Sequence, residues 1–410
     1  MLLNYLWIAF FLVALAYGVI IAVLSGDAQV FDAMLVALFS GSRTAFEITL
    51  GLVGTLAFWL GILKIGERSG FVQLLTRFLT PLFRRLMPEV PADHPALGAI
   101  VMNLSANVLG LDNAATPLGI KAMQELQSLN PRADTASDAQ ILFYVINASS
   151  VTLFPLTILT FRAQMGAAYP ADVFVPILLA TFCSTLAGLL SVAYFQRLHL
   201  LDRVTLAYLA GGIALAAGLA AFVLQADLET MQQRSANLSS IALLGLVAAF
   251  LGTALYRRVN AYDAFIEGAK EGFHTAVAIV PYLVAMLVAI AVLRASGLLE
   301  AVADALRDAA DWAGLDSRFV DALPTALVKP FSGSGARAMM LETMDHFGVD
   351  SFPARLAAVI QGSTETTFYV LAVYFGAVGI RNVRHAVGCG LLADLAGVVA
   401  AIVLCLRFFE

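Results

Sequence analysis

The sequence predicts an all-α polytopic membrane protein, with about nine transmembrane helices and two re-entrant hairpins arranged in two inverted repeats. Three observations lead there. Hydrophobic residues make up 60% of the chain and charged ones 13%, against roughly 25% charge in a soluble domain, and the mean hydropathy is +0.85. Apolar runs of about 20 residues, the length a helix needs to cross a bilayer, recur along the chain. Polar residues break into this pattern in two stretches that align with each other. VMNLSAN (101–107) lines up with VKPFSGS (328–334), and VINASSVTLF (145–154) with VIQGSTETTF (359–368).

Taken in order, spans are expected at 3–24, 44–65, 139–162, 172–195, 204–225, 238–257, 274–293, 356–377 and 386–407. The first is longer than a signal-peptide core and has no basic leader or cleavage site, so it reads as a retained helix. Segments 70–86 and 297–315 alternate apolar and charged residues at helical spacing and suit helices lying in the interface plane. Segments 95–127 and 320–345 are too polar and Gly-rich to span. They read as re-entrant hairpins, the second tipped by SGSGAR (332–337), and Pro117 is expected to break the first. The polar connector 226–240 is the best internal boundary. The chain thus divides into a first repeat (1–203), a linker helix with its connector (204–237) and a second repeat (238–410).

The register of the repeat can be followed by position. Gly41, Ser69, Gly70 and Ser105 have counterparts 227 residues later in Gly268, Ser296, Gly297 and Ser332. The offset falls to 216 at Lys121 and Arg337, and to 214 where Ser149 meets Ser363 and Phe154 meets Phe368. Each half then has an even number of crossings and one extra span separates them, so the second half enters from the opposite face. That is the inverted arrangement of many secondary transporters.

Several function classes drop out. The net charge is −5, and no basic tail or stripe points to nucleic acid. Cys183, Cys389 and Cys405 lie in apolar runs, and the five histidines show no ligand spacing, so no metal or other cofactor is expected. There is no phosphate-binding loop, nucleophile elbow or Ser/His/Asp set, which argues against an enzyme. No energising domain is present either, so uphill transport must draw on an ion gradient or a partner protein.

Polar side chains at membrane depth are costly unless they bind something or one another. The candidate solute-binding residues are Ser105, Asn107, Asn113, Asn147, Ser149, Ser332, Ser334, Gln361, Ser363, Thr364 and Glu365. Glu365 is matched by Val151, so the architecture does not itself require an acid there. Glu365, Asp394 and Asp112 are the candidates for a coupling ion, Na⁺ or a proton. Lys121 and Arg337 either meet an anionic solute or reach out to headgroups. The plain alternatives stand beside these readings: small residues that let helices pack closely, and a Glu365 satisfied by neighbouring threonines.

At these residues a family comes into view. NLSANVLGLDNAATPLGIKAMQELQSLNP (103–131) resembles the signature stretch of the spore maturation protein A family. LVKPFSGSGARAMMLETM (327–344) and VIQGSTETTFYVLAVYFGAVGIRNVRHAVGCGLLADL (359–395) resemble spore maturation protein B. The resemblance covers nearly the whole chain, A-like part first, and implies a natural fusion. Both parts fall in the wider group named for a nucleoside-recognition or gate domain, with the concentrative nucleoside transporters and the membrane part of the ferrous-iron transporter B. In the nucleoside transporters a Gln-Thr-Glu run lies on a hairpin. Here Gln361 and Glu365 are split by Gly-Ser-Thr, so those contacts do not transfer residue by residue.

The function expected is therefore an ion- or proton-coupled secondary transporter of a small polar solute, nucleoside-like or a small organic anion, in the bacterial inner membrane. The alternative is a non-transporting membrane scaffold or regulator with a spore-maturation-type role. Expected partners are the solute and the lipid bilayer, with a homo-oligomer left open. Distributing Lys and Arg over nine spans puts about 14 on the N-terminal side and about 10 on the other, which favours a cytoplasmic N-terminus.

Overall fold

A computed structural model of the chain describes residues 2–26, 28–109, 112–150, 152–225 and 228–409, with the side chains of 2–4, 6, 25, 112–114, 224, 228 and 229 left aside. The first half comprises α1 (Leu2–Ser25), α2 (Gln29–Arg68), α3 (Phe71–Leu86), α4 (Pro95–Val108), α5 (Asp112–Ser128), α6 (Asp138–Ala148), α7 (Leu156–Gln164) and α8 (Phe174–Gln196). A single helix, α9 (Arg203–Leu224), follows. The second half comprises α10 (Leu228–Tyr256), α11 (Ala261–Ala295), α12 (Leu298–Trp312), α13 (Leu323–Val328), α14 (Gly333–Phe347), α15 (Phe352–Ser363), α16 (Thr367–Ala377) and α17 (Ala386–Phe408), with a short 3-10 turn, Ser317–Ala322, before α13. The chain is an all-α, multi-pass membrane protein. Among the described residues α1, α2, α8, α9, α10, α11 and α17 are long and apolar enough to cross a bilayer.

The order of α1–α8 recurs in α10–α17. Gly70 and Gly297 sit just before the matched helices α3 and α12, with φ of 80° and 82°. Only glycine takes that left-handed backbone without strain, which accounts for the residue type at both positions. Ser137 and Ser351, 214 positions apart, each cap a broken helix by accepting a backbone N–H three residues on.

Two expected spans are not continuous helices. The segment 139–162 is split between α6 and α7, and 356–377 between α15 and α16. The polar residues are the cause. Ser150 takes a left-handed φ of 52°, and Pro155 lacks the N–H that would carry the helix through. In the second half the run Thr364, Thr366 and Thr367 is β-branched and Thr364 is fully extended. Pro117, expected to break the first hairpin, instead lies inside α5, close to its start.

The broken helices run in opposite directions. α6 starts where the Arg384 guanidinium meets Asp138 at 2.6 Å, and α7 ends at Arg162, bonded to the Val349 carbonyl at 3.0 Å and to Asp350 at 3.2 Å. α15 begins beside Asp350, and α16 leads to Arg381 and Asn382, whose amides donate to the Asp134 carbonyl. α8 runs from Asp172, paired with Arg355, to Gln196, which donates to the Asp138 carbonyl. α17 runs from His385 to Phe408, ending where Arg355 lies over the Phe409 ring. The molecule thus has an Asp138 end and an Asp350 end.

The bases of the helix pairs α4–α5 and α13–α14 lie at different ends. Gln140, at the start of α6, bonds both Gln127 and Asn130 at the base of α4–α5. Arg318, at the base of α13–α14, lies over Phe352 at the start of α15. α2 packs along α11 so closely that a Cβ on Gly272 would stand 2.6 Å from the Ala57 Cα. Large apolar side chains such as Leu12, Val36 and Leu244 face outward, as lipid contact requires.

Candidate functional site

The site is assembled from chain that cannot stay helical. A serine closes each of α6 and α15, Ser149 just after the first and Ser363 at the end of the second, and its hydroxyl turns back onto a carbonyl three residues earlier. Ser149 donates to Ile146 at 3.1 Å and Ser363 to Ile360 at 3.0 Å. Beyond them the two breaks touch, the Glu365 amide donating to the Ala148 carbonyl at 2.9 Å. Each break also holds the tip of its own hairpin. The Leu153 amide bonds the Val108 carbonyl at the end of α4, and the Phe368 amide bonds the Pro330 carbonyl between α13 and α14. Phe331 and Phe368 stack at 5.1 Å.

The second hairpin tip carries Lys329, which is buried. Its ammonium donates to the Gln361 carbonyl at 3.0 Å, within the last turn of α15, where a cation meets the negative end of the helix. The Gln361 amide reaches toward the Gly333 carbonyl at 3.4 Å, and its Oε1 is buried without a hydrogen-bond partner. Ser332 caps α14 by accepting from the Gly335 amide at 2.9 Å, and Ser334 lies 3.3 Å from it.

Between the first break, this tip and the end of α15 lies a pocket of ≈ 90 Å³ lined by Ser150, Thr152, Lys329, Arg337, Gln361, Thr364 and Glu365 among others. That is small beside the roughly 300–1,000 Å³ of sites for drug-sized ligands. It has room for an ion or a very small solute, and a nucleoside requires it to open. Two cations and one acid line it. Glu365, expected as a buried carboxylate, is exposed, because the break turns it outward; its Oε2 accepts from the Thr366 amide at 3.2 Å.

The buried acid is Asp394 on α17. Its Oδ2 accepts from the Thr367 hydroxyl at 2.6 Å, while its Oδ1 has no hydrogen-bond partner. Gly397, one turn on, lets α17 approach Thr364 and Ser184; a Cβ there would be 2.7 Å from the Thr364 methyl. Thr364 in turn lines the pocket, so α17 lies against the pocket wall at this point.

The other expected residues divide. Gln361, Thr364 and Glu365 line the pocket directly, while Ser332 and Ser334 shape the tip beside it. Asn107 and Asn147 form a separate cluster, bonded to each other at 2.8 Å, with Tyr374 donating to Asn147 at 3.2 Å. Ser105 is buried in α4 and meets Thr76 at 3.5 Å. Lys121 is exposed and absent from the lining, whereas its counterpart Arg337 is in it. The side chains of Asp112 and Asn113 lie outside the described residues. Sequence reasoning missed Lys329, although a lysine ahead of Pro330 in an apolar run was the available signal. Among the described residues no group of His, Cys, Asp and Glu could hold a metal ion.

Comparison with known proteins gives this geometry a setting. The family model described as "Gate: Nucleoside recognition" matches the chain twice, over 49–165 and 276–381. The two stretches start 227 residues apart and end 216 apart, the offsets of the internal repeat. The chain is 38% identical over 192 residues to spore maturation protein A of Bacillus subtilis (strain 168), covering 47% of this chain and 94% of that protein. It is 47% identical over 176 residues to spore maturation protein B of the same organism, covering 42% of this chain and 96% of that protein. Each relative is nearly whole while using less than half of this chain, as expected of a fusion.

Proposed function

Since this chain belongs to the nucleoside-recognition gate family, we propose that it is a secondary transporter of a small polar solute, built from two inverted repeats and coupled to a proton or Na⁺. The observation that carries the reading is the meeting of two oppositely directed broken helices with the second hairpin tip around one polar pocket, the first tip being bonded to the break beside it. Secondary transporters bind solute and ion at such discontinuities, where helix ends and unwound backbone supply partners inside the bilayer. Lys329 and Arg337 against Glu365 favour a small organic anion over a neutral nucleoside, as does the pocket's size. Asp394, buried on α17 and bonded to Thr367, is the favoured coupling carboxylate, with Glu365 at the pocket in the second role. We assign the protein no catalytic chemistry. α1 runs from Trp7, bonded to the Ala285 carbonyl, toward Tyr17 beside Gly297, so it starts on the side of α3, where arginine is denser, and the positive-inside rule favours a cytoplasmic N-terminus.

The test is a ligand screen on the purified protein. Small carboxylates, nucleosides and amino acids are titrated while thermal unfolding is followed, because a ligand of the folded state raises its stability. A small anion is expected to raise the midpoint in the wild type and to fail with Arg337→Gln. A flat response across the panel, with no Na⁺ or pH dependence, would overturn the transporter and favour a non-transporting scaffold. Mutual satisfaction of Asn107, Asn147 and Tyr374 is what that second reading has in its favour.

A further inference from the structure

The matched interfacial helices α3 and α12 are opposite in charge. α3 carries Arg77, Arg84 and Arg85 and no acid, whereas α12 carries Glu300, Asp304, Asp308 and Asp311 against Arg307 alone. The structure gathers further arginines around α3. Arg68, Arg77 and Arg257 line one groove of ≈ 460 Å³. Arg77, Arg84 and Arg85 line the next, of ≈ 530 Å³. Arg77 is common to both, so the two form one basic track.

Arg68 is paired with Glu267, but the rest of the track is not neutralised from within. Neither Arg77 nor Arg257 forms an ion pair among the described residues, and Arg85 has only Asp202 at 4.0 Å. Arg84 donates to the Ala92 carbonyl at 3.0 Å. Beside Arg77 on the same helix, Leu74 and Phe78 are 47% and 62% exposed. Forked cationic donors and open apolar surface therefore stand side by side along a helix at the end of the spans. A soluble anion uses only the first of these features, and an acyl chain only the second. A molecule with a phosphate head and an apolar tail uses both.

We propose that the α3 track, from Arg257 through Arg77 to Arg85, binds the headgroup phosphate of an anionic phospholipid. The fork of each guanidinium suits bidentate contact with phosphate oxygens, and Leu74 and Phe78 receive the upper acyl chain. α12 presents four acids at the equivalent position on the Asp350 end, so the site exists on one face only. It anchors the Asp138 end in the leaflet that carries such lipids, whichever solute the pocket takes.

The experiment uses the full chain in phosphatidylcholine nanodiscs, with phosphatidylglycerol as probe, following the unfolding midpoint and counting bound lipid by native mass spectrometry. Phosphatidylglycerol is expected to raise the wild-type midpoint, with the effect reduced at high salt. Arg77→Gln combined with Arg257→Gln is expected to weaken its apparent affinity about ten- to thirtyfold, from roughly one arginine's surface attraction each. Arg307→Gln on α12 is expected to leave lipid binding unchanged. If the first pair of substitutions unfolds the protein, the exposed pair Arg84→Gln and Arg85→Gln makes the same test. The proposal is overturned if the folded variants retain wild-type affinity. It is also overturned if added phosphatidylcholine stabilises as well, or if inorganic phosphate alone reproduces the effect.

Discussion

The amide of Glu365 donates to the carbonyl of Ala148 at 2.9 Å, and this bond joins the two broken helices at their breaks. A carbonyl at the end of α6 has no partner within its own helix, and the other half of the chain provides one. The backbone of Glu365 is thus structural while its exposed carboxylate is not. Glu365→Gln is expected to change stability by no more than about 0.5 kcal/mol and to alter solute affinity or its ion dependence. Glu365→Pro, which deletes the donor, is expected to cost about 1–3 kcal/mol. Equilibrium unfolding of both variants checks the contrast, and equal losses would refute it.

Lys329 makes a sharper case, because its side chain is buried. Lys329→Met keeps the aliphatic stem but strips the ammonium from the Gln361 carbonyl. The expected loss is about 1–3 kcal/mol, accompanied by loss of any stabilisation by anionic ligand. Unfolding with and without ligand separates the two effects.

Asp394→Asn retains an oxygen to accept from Thr367 and removes a buried charge. The variant is expected to fold at least as stably as the wild type. In vesicles with an imposed pH gradient, its solute uptake is expected to lose the response to that gradient. Gradient-driven uptake at the wild-type rate would take the coupling role away from this residue.

At the Asp350 end, Arg162 and Asp172 are both fully buried and 2.9 Å apart, and Arg355 holds the second oxygen of Asp172 at 2.8 Å. Removing the Asp172 charge leaves the Arg162 and Arg355 guanidinium groups to share the single carboxylate of Asp350. Asp172→Asn is therefore expected to cost about 3–5 kcal/mol. Asp350→Asn, at a carboxylate that is 35% exposed, is expected to cost clearly less. Thermal unfolding ranks them, and the reverse order would contradict the burial argument.

His385 opens α17 at the Asp138 end, stacked on Phe195 at 5.1 Å. Partial burial and the adjacent Arg384 push its pKa below the usual histidine value, with Asp138 opposing. The folded state then binds fewer protons than the unfolded one. Stability is present above the ordinary value near 6.5 and declines as pH falls through the lowered one. His385→Gln is expected to flatten this part of the stability–pH curve. A curve that keeps its slope assigns the titration elsewhere.

Much of this was legible in the chain. Seven apolar spans and the repeated order of elements follow from hydropathy and from matched glycines and serines. What the sequence could not give is where a polar cluster breaks a helix rather than riding on it. Ser149, Ser150 and Thr152 fit either case, and Ser150 declares itself only through its left-handed backbone. For the same reason Glu365 was expected to be buried and proved exposed, since burial there depends on how the break turns. Lys329 went unnoticed because its partner is a backbone carbonyl 32 residues away, which no local pattern records.

The interlocked breaks have a consequence for stoichiometry. Neither half alone can close the pocket, since the first supplies Ser150 and Thr152 and the second supplies Lys329, Gln361 and Glu365. Two separate polypeptides would have to find each other in the membrane and in equal numbers. α9, whose apolar window is only 6% buried, adds little to the core. As a covalent link between them, it keeps the halves in one-to-one ratio at high effective concentration. Assembly of the site then no longer depends on how much of each half the cell makes.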